Sequence, residues 1–263
     1  MKFAAVGSNC IDYYDNLNGG TAFPGGGPVN MAVYAARMGA ESAYVGPVGQ
    51  DDFGSLLLRA VAEKGVDVSQ MAVRPGSTAV SQVHLENGER VLGDYEEGVL
   101  ADYVLTPENL DFLSGYDVVV CDLWGKVGGQ FRELKARGIP TAFDGATRPE
   151  DAACQEALPH TDYLFFSGEA DNPALRRKMQ DYAARGPKLV TATLGEAGSL
   201  CWDGETFHTF GIVPCPHVVD TLGAGDSYIA GFLLGIFQGL SVEEAMKQGA
   251  GAAAETVGYF GAW

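Results

Sequence analysis

The stretch VNMAVYAARMGAESAYVGPVGQDDFGSLLLRAVAEKG, residues 29–65, contains one strand pattern between two helical patterns. Apolar residues recur at helical spacing from Val29 to Ala36, and Gly39 marks the end of that helix. SAYVGPVG then forms a continuous apolar strand, and a second amphipathic helix follows it and stops at Gly65. A buried strand between two amphipathic helices predicts an α/β domain.

The same alternation continues along the chain. KFAAVGS precedes the quoted stretch, and YDVVVCDL, IPTAFDG, TDYLFFSG and KLVTATLG follow it as apolar strands separated by helical segments. Thr106 before Pro107, and Ser241 with Glu244, mark helix N-termini. This order predicts one three-layer αβα domain over residues 1–263, with a mostly parallel central sheet covered by helices on both faces.

Two segments break this alternation. STAVSQVHLENGERVLGDYEEG alternates apolar and polar residues around Asn87-Gly88, which is the pattern of a β-hairpin with one face free. GSNCIDYYDNLNGGTAF, between the first strand and the first helix, is too long for a simple turn. We expect residues 10–24 and 77–98, approximately, to pair as a small separate sheet that serves as a lid or a subunit clasp.

An excess of acidic residues limits the partners of this protein. The chain has 34 Asp and Glu against 17 Lys and Arg, whereas nucleic acid and anionic membranes require a basic surface. No apolar run reaches membrane-spanning length, and the first residues lack the pattern of a signal peptide. The five scattered cysteines contain no Cys-x-x-Cys pair, which fits a reducing compartment. We therefore predict a cytoplasmic protein that binds neither nucleic acid nor membranes.

The segment VVDTLGAGDSYIAGF, residues 218–232, carries the strongest chemical signal. It places Gly223, Ala224 and Gly225 at the start of an apolar helix, where backbone N–H groups can surround an anion. Asp226 follows at once and can take a proton from an attacking hydroxyl, a pairing that suits phosphoryl transfer to an alcohol. The alternative is a glycine-lined turn in which Asp226 only caps the helix.

A second glycine cluster, PGGGPVN, precedes the first helix. Gly26 and Gly27 would let a polyhydroxyl ligand approach the backbone, and Asn30 could bind a sugar hydroxyl. The alternative is a flexible loop in front of an ordinary helix. No Gly-x-Gly-x-x-Gly follows the first strand and no Gly-Lys-Ser/Thr occurs, which excludes the dinucleotide fingerprint and the Walker phosphate loop.

Together, GGGPVNMAVYAARMGAESAYVGPVGQDDFG and DTLGAGD resemble the two signatures of the ribokinase-like (PfkB) family of sugar kinases. The resemblance implies a ribokinase-like fold, ATP as co-substrate and a sugar as acceptor. It assigns Asp226 as the catalytic base and residues 223–225 as the anion hole. Asp12, Gly26, Gly27 and Asn30 then match the positions that bind the sugar.

The resemblance also implies a nucleotide site and a metal. TLGEAG is similar to the turn that contacts ATP, through Thr193, Gly195, Glu196 and Gly198, with Gly225 beside it and Ala250 flanking the adenine. Mg²⁺ is expected on the ATP phosphates. The usual Asn-x-x-Glu motif for that metal is missing from FFSGEADNP, where Glu169 or Asp171 would substitute.

A monovalent cation binds, in some relatives, at the positions of Asp220 and Leu222. The sequence reaches GYFGAW and stops before the residues that complete this site in some relatives, which argues against activation by such a cation.

A narrower resemblance concerns the acceptor. GDYEEGVLADYVLTPENL and GAW are similar to members of the family that phosphorylate the 6-hydroxyl of fructoselysine, an Amadori product. Asp94, Glu96 and Glu97 would meet the substrate amine and Arg90 its carboxylate, although each also fits a solvated hairpin tip. The alternatives are a kinase for another ketose or fructosamine, and a non-catalytic sugar or nucleotide sensor. The family resemblance further suggests a homodimer through the lid.

Overall fold

A nine-stranded central sheet dominates the computed structural model, which describes residues 1–86 and 89–263. The strands are β1 (Lys2–Val6), β2 (Cys10–Tyr14), β3 (Thr21–Gly25), β4 (Glu41–Gly49), β5 (Asp67–Arg74), β6 (Val80–Glu86), β7 (Glu89–Glu96), β8 (Val118–Asp122), β9 (Thr141–Asp144), β10 (Tyr163–Ser167), β11 (Leu189–Thr193), β12 (Ser199–Trp202) and β13 (Phe207–Phe210). The helices are α1 (Gly27–Arg37), α2 (Asp52–Glu63), α3 (Pro107–Leu113), α4 (Phe131–Ala136), α5 (Ala152–Ala157), α6 (Pro173–Ala183), α7 (Ala224–Phe237) and α8 (Val242–Thr256).

The central sheet has the order β13-β12-β11-β10-β9-β8-β1-β4-β5. Every pairing from β11 to β5 is parallel, which confirms the predicted mostly parallel sheet. The pairings of β12 with β11 and with β13 are antiparallel, and the sequence reading did not identify these two strands. Each has four residues, too few for a clear periodic signal.

Residues of β1 show how the two faces of this sheet are covered. Phe3 and Ala5 belong to the cluster that packs under α1, α7 and α8, whereas Ala4 and Val6 belong to the cluster on the other face. Successive side chains of a strand point to opposite faces, so an uninterrupted apolar strand must be buried on both sides. The result is the expected three-layer αβα arrangement.

A second sheet has four strands in the order β3-β2-β6-β7. The two segments that break the alternation pair directly, because β2 lies parallel to β6. Asn87-Gly88, the predicted hairpin turn, lies outside the described residues. The role of this sheet as a lid or clasp stays a prediction. Among the described residues, no helix is both long and apolar enough to cross a membrane.

Candidate active site

Asp226 lies in the first turn of α7, where the helix N-terminus is open. Gly223 precedes the helix with φ +76°, a left-handed conformation that glycine adopts without strain. No side chain in the described part of the chain caps this N-terminus. A Cβ on Gly225 would meet none of the described atoms within 4 Å. The first turn of α7 therefore offers backbone N–H groups and the positive end of the helix dipole to open space.

Asn30, in the first turn of α1, is the immediate partner of Asp226. Its Nδ2 donates a hydrogen bond of 2.8 Å to Asp226 Oδ2, and its Oδ1 accepts one of 2.7 Å from Trp263 Nε1. The sequence predicted a sugar contact at Asn30, but in the free protein both ends of the amide are engaged. The Trp263 contact was missed because 233 positions separate these residues in the chain.

The glycine cluster, at which the sequence predicted the approach of a polyhydroxyl ligand, brings the start of α1 against the carboxylates of Asp122 and Asp226. Gly26 has φ +103°, and a Cβ there would lie 2.6 Å from Asn9 Cα, so only glycine fits. A Cβ on Gly27 would lie 3.0 Å from Asp122 Oδ2 and 3.4 Å from Asp226 Oδ1. The backbone at Gly27 therefore forms one wall of a cradle that both carboxylates share.

Four acids surround this cradle, and burial raises the pKa of each. Burial raises the pKa of Asp226 to about 8; the Asn30 hydrogen bond opposes this, and the nearby carboxylates add to it. Burial likewise raises the pKa of Asp122 to about 7 and those of Asp12 and Asp144 to about 6. Clustered, desolvated carboxyls are typical of functional sites, because burying like charges costs stability that a plain structural role would not require.

Asp122 and Asp144 were not among the predicted site residues. They end the adjacent parallel strands β8 and β9, and their register pairs them directly. The signal was present in YDVVVCDL and IPTAFDG, because ligands of open parallel sheets bind beyond the carboxyl ends of strands. Ser8 Oγ donates to Asp122 Oδ2 at 2.7 Å, whereas no described donor reaches hydrogen-bond geometry with its Oδ1. Asp122 is 2% exposed, and the backbone N–H groups of Trp124 and Gly125 oppose the rise in its pKa. Its Oδ1 is thus a buried acceptor without a well-formed hydrogen bond from the described residues.

Arg90 has a different partner from the one predicted. Its guanidinium, on β7, forms an ion pair with Asp220 and lies over the rings of Tyr14 and Phe260. Arg90 is therefore engaged by Asp220 in the free protein, and its contact with a substrate carboxylate stays a prediction. The ion pair forms because β7 pairs with β6 in a sheet that places Arg90 beside the loop before α7.

The carboxylate of Asp220, which the sequence assigned to a possible monovalent cation, already has protein partners. Besides the Arg90 guanidinium, it accepts hydrogen bonds from the N–H groups of Leu222, at 3.0 Å, and Gly261, at 2.8 Å. These donors satisfy the carboxylate in the free protein, and a monovalent cation at Asp220 stays a prediction.

The predicted nucleotide turn lies beside α7. Thr193, Gly195, Glu196 and Gly198 connect β11 to β12, and Tyr228 of α7 donates to Ser199 Oγ at 2.9 Å at the end of this turn. Ala250 lies on α8, which packs against α7, but it is 8% exposed. A nucleotide that contacts α8 would therefore touch the half-buried residues next to Ala250.

The predicted metal ligands differ in availability. Glu169 is exposed just beyond the carboxyl end of β10, whereas Asp171 forms two hydrogen bonds of 2.7 Å with the guanidinium of Arg176. Among the described residues, no group of three His, Cys, Asp or Glu side chains could hold a metal ion. Mg²⁺ commonly binds through one or two carboxylates together with substrate phosphates, so Glu169 fits such a site and Asp171 does not.

The acids predicted to contact a substrate amine face different directions. Glu96 lines a groove together with Tyr13 of β2. Successive side chains of a strand point to opposite faces, and Asp12 is the residue before Tyr13 on β2. The groove is therefore on the opposite face of the second sheet from Asp12. Glu97 instead pairs with Lys126 at 2.6 Å. Lys126 lies in the loop beyond β8 and has φ +63°, an uncommon backbone conformation for a non-glycine residue.

Comparison with known proteins gives consistent results for sequence and fold. Residues 4–263 match the family described as pfkB family carbohydrate kinase. The chain is 44% identical over 260 residues to a fructoselysine 6-kinase of Shigella flexneri, covering 99% of this chain and 98% of that protein. It is 32% identical over 271 residues to the fructosamine kinase FrlD of Bacillus subtilis (strain 168), covering 100% and 93%. A structure of Arabidopsis thaliana ribokinase, complexed with ribose and ATP, shares the fold at 23% identity, with a TM-score of 0.88 and coverage of 99% and 93%.

Proposed function

Because the chain belongs to the pfkB family of carbohydrate kinases, we propose that it transfers the γ-phosphoryl group of ATP to the 6-hydroxyl of fructoselysine. The observation that carries the chemistry is the position of Asp226 beside an open helix N-terminus. The choice of acceptor is supported by the near full-length similarity to fructoselysine 6-kinases.

The proposed reaction uses Asp226 as general base. The ionised carboxylate takes the proton of the sugar hydroxyl while that oxygen attacks the γ-phosphorus. A new O–P bond forms, the bond to the bridging oxygen breaks, and its electron pair leaves with ADP. The N–H groups of Gly225 and Asp226 face the space in which negative charge develops, and they stabilise the transferring group.

The pKa of about 8 at Asp226 makes its carboxylate a strong proton acceptor. The raised pKa also means that the protonated, inactive form persists to a higher pH than in an ordinary aspartate. The proposal therefore predicts that kcat/KM rises as the pH increases through the pKa of Asp226.

Mg²⁺ would enter with the ATP phosphates, with Glu169 as the available carboxylate. When bound, it would neutralise phosphate charge. The turn formed by Thr193, Gly195, Glu196 and Gly198 would contact the nucleotide, and its position beside α7 would place the phosphates toward Gly225.

Sugar hydroxyls would be held by Asp12 and by the buried Oδ1 of Asp122, with the backbone at Gly27 as the wall of the cradle. An ionised carboxylate only accepts hydrogen bonds and a hydroxyl can donate one, so each contact would satisfy a carboxylate oxygen. The half-buried Asp12 lies on the second sheet, which would cover the sugar as a lid.

The amino-acid part of fructoselysine requires one anionic and one cationic contact. Glu97 and Lys126 supply both, because the Glu97 carboxylate complements the substrate ammonium and the Lys126 ammonium complements its carboxylate. Both side chains are about one third exposed, at 37% and 35%, so this ion pair can exchange partners with a zwitterion. We thus propose Lys126, in place of Arg90, as the contact for the substrate carboxylate.

The first test is ATP consumption by the purified protein with Mg²⁺ and fructoselysine, fructose or ribose. We expect a strong preference for fructoselysine, and a drop of about a thousandfold in kcat for Asp226→Asn with ATP binding retained. Preference for fructose would remove the amino-acid part of the proposal. Binding of ATP and sugars without turnover would favour the sensor alternative.

A second test addresses the amino-acid contacts. Glu97→Gln and Lys126→Met should each lower the ratio of kcat/KM for fructoselysine to that for fructose by about tenfold, the effect of one lost charge-assisted hydrogen bond. Glu96→Gln is the matched control, since this side chain lies on the other face of the sheet. Equal ratios in all four proteins would contradict the assignment of Glu97 and Lys126.

A further inference from the structure

The orientation of the Asn30 amide is fixed by a tryptophan. An indole N–H donates only, and an ionised carboxylate accepts only. Since Trp263 Nε1 lies 2.7 Å from Asn30 Oδ1, the amide oxygen must face the indole. The NH₂ group then faces Asp226 Oδ2 at 2.8 Å. The three side chains form a directional chain of hydrogen bonds that ends on the carboxylate.

The segment that carries Trp263 is held firmly in place. Tyr34 donates to the carbonyl oxygen of Ala262, and the N–H of Gly261 donates to Asp220 Oδ2 at 2.8 Å. A Cβ on Gly223 would lie 3.1 Å from that same Ala262 oxygen, so the segment packs directly against the residue that precedes α7. The half-buried indole also packs against the core and lies under the Lys64 ammonium.

We propose that Trp263 is a positioning residue, whose indole N–H keeps the Asn30 amide turned so that its NH₂ group, and not its oxygen, faces Asp226. This inference rests on the proposed role of Asp226 as general base. In the proposed reaction, Trp263 does not contact the reacting atoms and acts only through Asn30.

The expected consequence of losing the indole N–H follows from the symmetry of the amide. An Asn side chain that turns over by half a rotation keeps nearly the same shape but exchanges its donor and acceptor. With its oxygen toward Asp226, Asn30 would repel the carboxylate and accept a hydrogen bond from the protonated acid. Both effects raise the pKa of Asp226 and deplete the base.

Other groups near Asp226 set the background for this effect. They all disfavour its charge or are neutral, and none supplies a positive charge that would replace the amide donor; they are Cys10 and Asp12 on β2, Tyr34 on α1, Asp122 on β8 and Asp144 on β9. Besides the positive end of the α7 dipole, which loss of the indole N–H leaves unchanged, the Asn30 hydrogen bond lowers the pKa of Asp226. A change in the orientation of the Asn30 amide should therefore shift the pH dependence of kcat/KM.

The test is the pH dependence of kcat/KM for the wild-type protein and Trp263→Phe, from about pH 6 to 10. We expect the acidic limb of Trp263→Phe to move upward by about one pH unit, which is about a tenfold loss below the limb and near wild-type activity above it. Trp202→Phe, on β12, is the matched control and should leave the profile unchanged. A fall of equal size at every pH would overturn the proposal, because lost packing alone does not move the limb.

A double-mutant cycle with Asn30→Ala separates action through Asn30 from any other effect. If Trp263 acts through Asn30, the double variant should be no slower than Asn30→Ala alone. Multiplicative losses would overturn the proposal. Replacement of Trp263 by benzothienylalanine, which exchanges the N–H for sulfur at nearly constant shape, gives the same test should Trp263→Phe fold poorly.

The ¹³C carboxyl titration of Asp226 gives a readout that does not depend on turnover. We expect a higher pKa of Asp226 in Trp263→Phe than in the wild type, and an equal pKa would overturn the inference. Full turnover by Asp226→Asn would instead refute the proposed general base. The two failures are thus distinguishable.

Discussion

The guanidinium of Arg90, on the second sheet, donates to the carboxylate of Asp220, which lies just before the glycine turn of α7. The two side chains are only 18% and 9% exposed, and 130 positions separate them in the chain. The contact joins the sheet that would cover the sugar to the loop that forms the proposed anion hole. It also directs one carboxylate oxygen of Asp220 toward both Arg90 and the N–H of Gly261.

Loss of this ion pair should weaken both the fold and the site. In Arg90→Ala, the largely buried Asp220 would lose one charged hydrogen bond and retain its two backbone donors, so we expect a loss of about 2 kcal/mol in the free energy of unfolding. We also expect kcat/KM to fall, because the second sheet is no longer tied to the loop before α7. Denaturant unfolding and steady-state kinetics measure the two effects. Arg132→Ala is the control, since Arg132 is 71% exposed and pairs with its sequence neighbour; equal effects of the two variants would contradict the prediction.

Activity should not depend on the monovalent cation. The Asp220 carboxylate already has a guanidinium and two backbone N–H groups as partners, so it has no free charge with which to bind such an ion. Replacing NaCl with KCl or tetramethylammonium chloride at constant ionic strength should leave kcat unchanged. Stimulation by K⁺ over tetramethylammonium would show that a cation competes with Arg90.

Gly225→Ala should separate stability from activity. A Cβ at this position meets none of the described atoms within 4 Å, and alanine favours a helix over glycine by about 0.5–1 kcal/mol. The melting temperature should therefore stay constant or rise. The methyl group nevertheless enters the space proposed for the transferring phosphoryl group, so kcat should fall at least about tenfold. A variant with normal activity would place the phosphate elsewhere.

The buried carboxyls predict how stability changes with pH. Burial raises the pKa of Asp122 to about 7, above its unfolded value of 3.8, so the folded protein binds this proton more tightly than the unfolded chain does. The free energy of unfolding should therefore fall as the pH rises from the unfolded pKa to the folded one. Asp12, Asp144 and Asp226 act in the same direction.

Asp122→Asn tests this directly. An amide carries no charge, so the variant should gain on the order of 2 kcal/mol over the wild type near pH 8 and show a flatter pH profile. The same change should raise KM for the sugar, because the free carboxylate acceptor is lost. Urea unfolding at several pH values gives the profile. Lower stability of the variant at high pH would mean that the ionised Asp122 is better solvated than its burial indicates.

Association through the second sheet stays a prediction from the family resemblance. Val91 is 44% exposed on β7, an edge strand of that sheet. Light scattering should give twice the chain mass of 27.7 kDa, and Val91→Lys should shift the protein toward the monomer. Val104→Lys is the control, since Val104 is 56% exposed outside that sheet. A wild-type protein that is monomeric at high concentration would contradict the prediction.

Local sequence patterns were enough to predict most strands and helices and the glycine turn before Asp226. Apolar runs predicted the strands β1, β4, β8, β9, β10 and β11, and the helices beside them followed from periodicity and capping residues. The glycines before Asp226 predicted an open helix N-terminus, because that signal lies within one turn of chain. β12 and β13 were missed, since four residues carry little pattern.

Which distant polar groups contact one another depends on tertiary packing. Asn30 hydrogen-bonds Asp226, which lies 196 positions away in the chain, and Trp263, which lies 233 positions away. Arg90, which the sequence predicted to contact the substrate, donates to Asp220. Helices and strands can be predicted from the sequence because their burial sets a regular spacing of apolar residues along the chain. A hydrogen bond between distant side chains produces no such spacing, because its partners are brought together only when the whole sheet and its helices have packed.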